Sequence, residues 1–234
     1  MAADCILVIA ATQPRLAPLR GGASAIRSAI ADYWALTKPE INLLIAIATS
    51  TGFYLAVPGP LREFPWLRLV RTLLGTLLVA SGTGTLNQYV ERRLDAQMRR
   101  TARRPLAAGR LNAAAVLWFG IALSAIGCIY LATAVSVLAS LLTLLTLLSY
   151  LFLYTPLKRK TPMCVLVGAL PGGVPPLIGW AAASGTLSCE AWALYAMLFV
   201  WQFPHFMAMA WMYREDYVAR VIACCPAPTQ ELVS

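Results

Sequence analysis

Asn87, Glu91 and Asp95 stand four residues apart, so on a helix an amide and two carboxylates fall within an arc of about 80° and rise about 6 Å per step. Oxygen ligands at that spacing suit a hard cation such as Mg²⁺, whose shell is often completed by substrate phosphate. The same residues also read as a solvated helix end, with Glu91 and Asp95 paired to Arg92, Arg99 or Arg100. Just downstream, Arg99, Arg100, Arg103, Arg104 and Arg110 crowd one short loop. Arginine forks match phosphate oxygens, so the loop reads as an anion clamp above the carboxylates. Its other reading is membrane-surface charge in contact with anionic lipid. Tyr154-Thr155-Pro156 leads into a second basic group, Lys158, Arg159 and Lys160, which reads either as more of the clamp or as snorkelling cations. Carboxylates that hold cations, with arginines above them, together suit a diphosphate. Farther on, His205 and Asp216 lie eleven residues apart, about 20° in helical phase, with Met209 and Tyr213 near that face and Glu215 beside Asp216. His205 reads as a hydrogen-bonded packing residue or as a functional group within the membrane.

The elements that must position these groups are membrane helices. Nineteen Lys and Arg against ten Asp and Glu give a net charge of +9, yet the chain is 59% hydrophobic and only 12% charged. With about 25% charged residues in ordinary globular proteins, too few are available here to solvate a soluble fold, and the mean hydropathy is +0.68. A nucleic-acid binder needs a polar basic surface that this composition does not supply. The fold class is therefore all-α, a polytopic transmembrane bundle. Uncharged stretches lie between Glu40 and Arg62, between Arg71 and Glu91, and from Leu111 to Leu157. The first two each match the ~20 residues that cross a bilayer; the third is long enough for two helices, with a turn expected near Ala132 to Ser136. Thr161 to Cys189 and Ala191 to Tyr213 complete six expected spans. The fifth contains Pro162, Pro171, Gly172, Gly173, Pro175 and Pro176, and a helix so broken at membrane depth is tolerated where it lines a cavity.

Alternate loops carry 16 Lys and Arg on one side and 3 on the other, which places both termini in the cytoplasm. Residues 1–30 read as a flexible cytoplasmic arm ending in a membrane-surface segment around Ala31 to Lys38. Asp4 in place of a basic lead argues against a secretory signal, and the weak transit character favours a bacterial inner membrane over a mitochondrial one. The six cysteines, with no C-x-x-C pair, read as membrane-buried thiols; vicinal Cys224 and Cys225 are the candidates for a structural or redox role.

Asn87-x-x-x-Glu91-x-x-x-Asp95 followed by Arg104-Pro105-Leu106-x-x-Gly109-Arg110 resembles the first acidic motif and following loop of the UbiA-type intramembrane prenyltransferases. Ala35-Leu36-Thr37-Lys38-Pro39-Glu40-Ile41, Tyr154-Thr155 with Lys158-Arg159-Lys160-Thr161-Pro162, Pro175-Pro176-Leu177-Ile178-Gly179-Trp180 and Pro204-His205-Phe206 resemble its haem-farnesylating branch. So does Arg214-Glu215-Asp216-Tyr217. The resemblance covers residues 31 to 217 and implies a nine-helix bundle that joins the farnesyl group of farnesyl diphosphate to a vinyl group of haem B, yielding haem O for cytochrome oxidase. Under it, Asn87, Glu91 and Asp95 would bind Mg²⁺ with Asp216, and Lys158 would share the catalytic role. Arg99, Arg103, Arg104, Lys158 and Lys38 would hold the diphosphate, and His205, Tyr154 and Tyr213 the acceptor. Haem A synthase or oxidase assembly factors would be partners alongside membrane lipid.

Three further spans expected after Tyr217 are absent, so the membrane domain reads as 31–217, C-terminally truncated, with a divergent tail at 218–234. A quinone or chlorophyll-type acceptor would need much the same diphosphate site, and the acceptor rests on the resemblance. A small transporter built on the broken fifth helix is the reading from another class; it is disfavoured because the polar groups gather at one membrane face and no internal repeat is evident.

Overall fold

A computed structural model describes residues 22–98, 101–158 and 163–212. Those residues are helical throughout their ordered elements: α1 Gly22–Leu36, α2 Pro39–Ala56, α3 Trp66–Asp95, α4 Ala113–Ala134, α5 Val137–Leu148, α6 Thr155–Leu157, α7 Cys164–Gly172, α8 Pro175–Ser184 and α9 Cys189–Met212. A π-helical stretch, Ser149–Tyr154, joins α5 to α6 without a break. The turn expected near residues 132–136 falls at Val135 and Ser136, between α4 and α5.

An all-α polytopic membrane protein is what results. Four helical stretches are long and apolar enough to cross a membrane, Trp66–Asp95, Ala113–Ala134, Val137–Leu157 and Cys164–Ser184. Of the six expected crossing helices, these four meet that measure among the described residues, so the first correction is to how apolar the other two are. Helices α2 and α9 occupy the first and sixth expected positions, but Glu40, Asn42 and the Thr49–Thr51 run dilute one, and Gln202 and His205 the other. A second correction concerns the arm expected through residue 30, which is helical from Gly22. A third concerns the cysteines: Cys128 and Cys189 are free thiols, whereas Cys164 is disulfide-bonded.

Without a hydrophobic drive between helices in lipid, close association depends on small residues and van der Waals fit. Helices α2 and α8 cross so tightly that a Cβ on Gly179 would lie 2.0 Å from the Thr49 carbonyl oxygen, and one on Gly52 2.1 Å from that of Pro176. Helices α3 and α4 do the same through Gly82, where a Cβ would meet Ser124 Oγ at 2.2 Å. Large apolar side chains instead face outward, including Trp118, Ile129, Leu145 and Phe152, as a lipid-facing surface requires. Inside, Phe53, Phe64, Leu69, Ile178, Ala181 and Ala182 form one packed core, and Leu36, Leu106 and Val116 a second.

The fifth expected span is two helices, broken at Gly173–Val174, with Pro175 opening α8 at a position where a missing N–H costs nothing. Its breakers line a cavity of about 800 Å³ bounded by α2, α3, α5, α7, α8 and α9.

Candidate active site

The C-terminal end of helix α3 is where the chemistry-bearing residues meet. Asn87, Glu91 and Asp95 share one face of it and are buried, with 3%, 6% and 5% of their surfaces exposed. That removes the reading as a solvated helix end. Asn87 Nδ2 donates to Glu91 Oε2 at 3.0 Å, and Thr155 Oγ1, brought in by α6, donates to Asn87 Oδ1 at 3.1 Å. Lys158, just past α6, forms an ion pair with Glu91 Oε1. Arg104 on the basic loop reaches Asp95 Oδ2 at 2.7 Å. Arg92, by contrast, bonds the Tyr89 carbonyl at 2.7 Å and lies over the Tyr89 ring.

Two carboxylates out of water carry a desolvation cost of several kcal/mol each, which their cations offset only in good geometry, so buried ion pairs are weak evidence of stabilisation. A cluster of them at one end of a bundle is a functional signal.

Lys38 completes the set. The residue before a proline avoids the right-handed helical region, and Lys38, followed by Pro39, adopts φ 51°, the left-handed region, between α1 and α2. Asn42 holds that turn, donating to the Thr37 carbonyl at 3.0 Å and to Ser81 Oγ at 2.8 Å. Lys38 is half-buried at the cavity wall; burial first, and Arg104 next, push its ammonium down from the ordinary 10.5 to about 8.

Behind these charges the cavity is apolar. Tyr150, Gly168, Pro171, Pro176, Leu198 and Trp201 are among its lining. His205 lies at its wall, solvent-exposed, stacked on Trp201 with ring centroids 4.9 Å apart. The Tyr154 ring lies 5.2 Å from Tyr150 and 6.5 Å from Phe206, and Lys158 Nζ sits 5.6 Å above it. The structure thus brings together Lys38, Asn87, Glu91, Asp95, Arg104 and Lys158, with Tyr154 beneath Lys158 and His205 elsewhere on the cavity wall that Lys38 lines. Arg103 is exposed on its loop. Arg99, Tyr213, Glu215 and Asp216 lie outside the described residues.

Sequence reasoning passed over Thr155 as a site residue, and also Asn42, Tyr150 and Trp201. Thr155 and Tyr150 have no local signal, because it is the π-helical stretch that shifts their phase; Asn42 had one, a polar residue one turn into an apolar helix after Lys38-Pro39.

Among the described residues no group of three or more His, Cys, Asp or Glu is placed to hold a metal ion. The donors present are the Asn87 amide oxygen and two carboxylates, an oxygen-only set of the kind Mg²⁺ takes when phosphate supplies further ligands.

Acids and cations thus gather beside Lys38 and Tyr150, which line the apolar cavity, an arrangement that suits a membrane-embedded group-transfer enzyme. The chain belongs to the UbiA prenyltransferase family, which matches residues 44–223. It is similar to the protoheme IX farnesyltransferase of Solibacter usitatus, 49% identical over 201 residues, 83% of this chain and 69% of that one. A protein of the same name from Koribacter versatilis is 42% identical over 216 residues, covering 92% and 68%. The mitochondrial protoheme IX farnesyltransferase of Arabidopsis thaliana is 42% identical over 80% of this chain and 43% of its own length. No solved structure matches the chain significantly.

Proposed function

We propose that this prenyltransferase joins the farnesyl group of farnesyl diphosphate to a vinyl group of haem B, giving haem O. The observation that carries the reading is the set of buried acid–cation pairs at the end of α3, close to Lys38 and Tyr150, which line an almost wholly apolar cavity of about 800 Å³. The names of the relatives support the acceptor.

Ionisation of an allylic diphosphate leaves negative charge on the departing pyrophosphate. Lys38, Arg104 and Lys158 stand where they would take up that charge, the latter two by exchanging a carboxylate for phosphate oxygens. Asn87, Glu91 and Asp95 would hold Mg²⁺, which when bound supplies Lewis-acid stabilisation of the same leaving group. The Tyr150 and Phe206 rings line the cavity and would offer π-electrons to the developing allylic cation, a contribution of about 0.5–2 kcal/mol per well-placed ring. Dry walls keep water from that cation until the vinyl carbon attacks. His205 and Tyr154, with Tyr213 from beyond the described residues, would contact the porphyrin, and Asp216, likewise beyond them, would join the Mg²⁺ ligands. The loop charges support a cytoplasmic N-terminus.

The test is incubation of detergent-purified protein with haem B, farnesyl diphosphate and Mg²⁺, with products separated and weighed by mass spectrometry. Haem O that forms only with Mg²⁺ is the expected result. Prenylation of a quinone-ring acceptor with haem B left untouched would overturn the acceptor; no transfer to either from folded protein would overturn the reading of the site.

A further inference from the structure

Helix α1 has two faces with different company. Ile26, Ile30 and Trp34 recur at four-residue spacing and are 63%, 64% and 65% exposed. Asp32 lies about 160° around the helix from the middle of that stripe. There it meets Arg110 in a two-pronged pair across 78 residues of sequence, with Nε at 3.1 and 3.0 Å from its two carboxylate oxygens and NH2 at 2.9 Å from Oδ1. Leu36, fully buried, packs with Leu106 and Val116, and Tyr33 meets the Phe119 ring edge-on at 5.0 Å.

Arg110 does not end the chain of contacts. Its backbone N–H donates to the Pro105 carbonyl at 2.9 Å, the Ala108 N–H to the Arg104 carbonyl at 2.8 Å, and Gly109 at φ 70° allows the chain to double back between them. Pro105 follows Arg104, whose guanidinium holds Asp95. A continuous path therefore runs from Asp32 through Arg110 and the loop backbone to the cation at the acidic cluster.

We propose that Asp32 is a positioning residue: α1 acts as a strut that, through the Asp32–Arg110 fork, holds the 101–110 loop so that Arg104 stands ready for the diphosphate. Asp32 touches neither Asp95 nor any atom proposed to react; it acts through Arg110. The proposal rests on the reading of the site as a diphosphate site and adds to it the element that keeps the clamp in register. A bidentate fork sets both distance and orientation, so a lysine in place of Arg110 keeps the charge and loses the geometry.

The experiment uses the whole chain in detergent and two readouts, hydrogen exchange of residues 101–110 and binding of inorganic pyrophosphate with Mg²⁺. Asp32→Asn is expected to speed exchange in the loop while leaving α3 and α4 as protected as before. Pyrophosphate binding should weaken roughly fivefold, the upper range for a partly exposed pair. Arg110→Lys should behave the same way, and Asp32→Glu should recover most of the affinity. In turnover, the loss should fall on the KM for the prenyl diphosphate, with kcat unchanged. Faster exchange spread over all helices would make Asp32 merely structural and overturn the proposal, as would unchanged loop exchange in Asp32→Asn. Loosened loop exchange with undiminished pyrophosphate binding would overturn the link from strut to clamp. Wild-type protein that binds no pyrophosphate while its loop still loosens in Asp32→Asn would overturn the reading of the site as a diphosphate site, leaving the strut itself intact.

Discussion

The polar cluster and the cavity beside it are two regions built on opposite principles. At the α3 terminus, buried polar atoms are tied to one another: Thr155 to Asn87, Asn87 to Glu91, Glu91 to Lys158, Asp95 to Arg104. Away from it, the cavity walls offer mainly aliphatic and aromatic surface, and Thr51 on α2, Thr83 on α3 and Thr143 and Thr146 on α5 turn their hydroxyls back to carbonyls of their own helices 2.7 to 2.9 Å away. The first region has directional, charge-assisted contacts that can be exchanged for a ligand's; the second has only shape and dryness. Changes in the polar cluster should therefore remove chemistry and leave the fold, while changes along the apolar walls should alter fit or folding first.

The largest effect expected from this contrast is that of Asp95→Asn. It keeps the shape of the side chain and removes the charge that Arg104 and a metal ion would share, and transfer should fall at least about a hundredfold. Its unfolding midpoint in detergent should stay close to that of the wild type; a collapse in stability instead would blur the two regions into one. Next comes Gly179→Ala on the α2–α8 wall. The added Cβ meets the Thr49 carbonyl at 2.0 Å, so the helices must part, at a cost of about 1–3 kcal/mol. Thermal unfolding should reveal it, with transfer by the surviving folded protein reduced far less than in Asp95→Asn.

Lys38→Gln ranks third and carries a pH signature. In the wild type, donor affinity should decline as pH rises through about 8, where Lys38 loses its proton. Its folded-state value lies below that of the unfolded chain, so between about 8 and 10.5 the unfolded chain holds more protons and stability rises with pH across the same window. The substitution should raise the donor KM about tenfold below pH 8 and flatten both trends, as titrations of KM and of unfolding midpoint would show. Smallest is Trp201→Ala, which removes the ring stacked on His205. The acceptor KM should rise roughly threefold, in line with about 0.5–1 kcal/mol for such a pair, with the donor KM unmoved.

Much of the fold was legible before any coordinates. The gaps between charges located helices at each expected place and the turn at Val135–Ser136, because a charge inside the hydrocarbon is costly enough to mark its own absence. The cavity beside the Pro- and Gly-rich stretch was legible for a similar reason. What that bookkeeping overstated was the apolarity of α2 and α9, since the lack of charge is not the same as hydrophobicity when threonine, asparagine and glutamine fill the gap. At the site, the i, i+4, i+8 spacing put Asn87, Glu91 and Asp95 on one face correctly. Of the nearby arginines offered as their partners, Arg92 turns to Tyr89 and Arg99 and Arg100 lie outside the described residues, while the structure supplies Lys158 and Arg104.

The sequence by itself determined that the chain is an all-α membrane protein and that one helix face ends in an amide and two acids. These are properties of spacing and of solvent, and neither needs a neighbour to be specified. Tertiary structure alone decided that Lys158, 67 positions from Glu91, is its partner, that Thr155 caps Asn87 through a π-helical shift of phase, and that Asp32 reaches Arg110. Long-range pairing depends on how closely backbones approach, and that was set by Gly52, Gly82 and Gly179, small residues that carry no chemistry of their own.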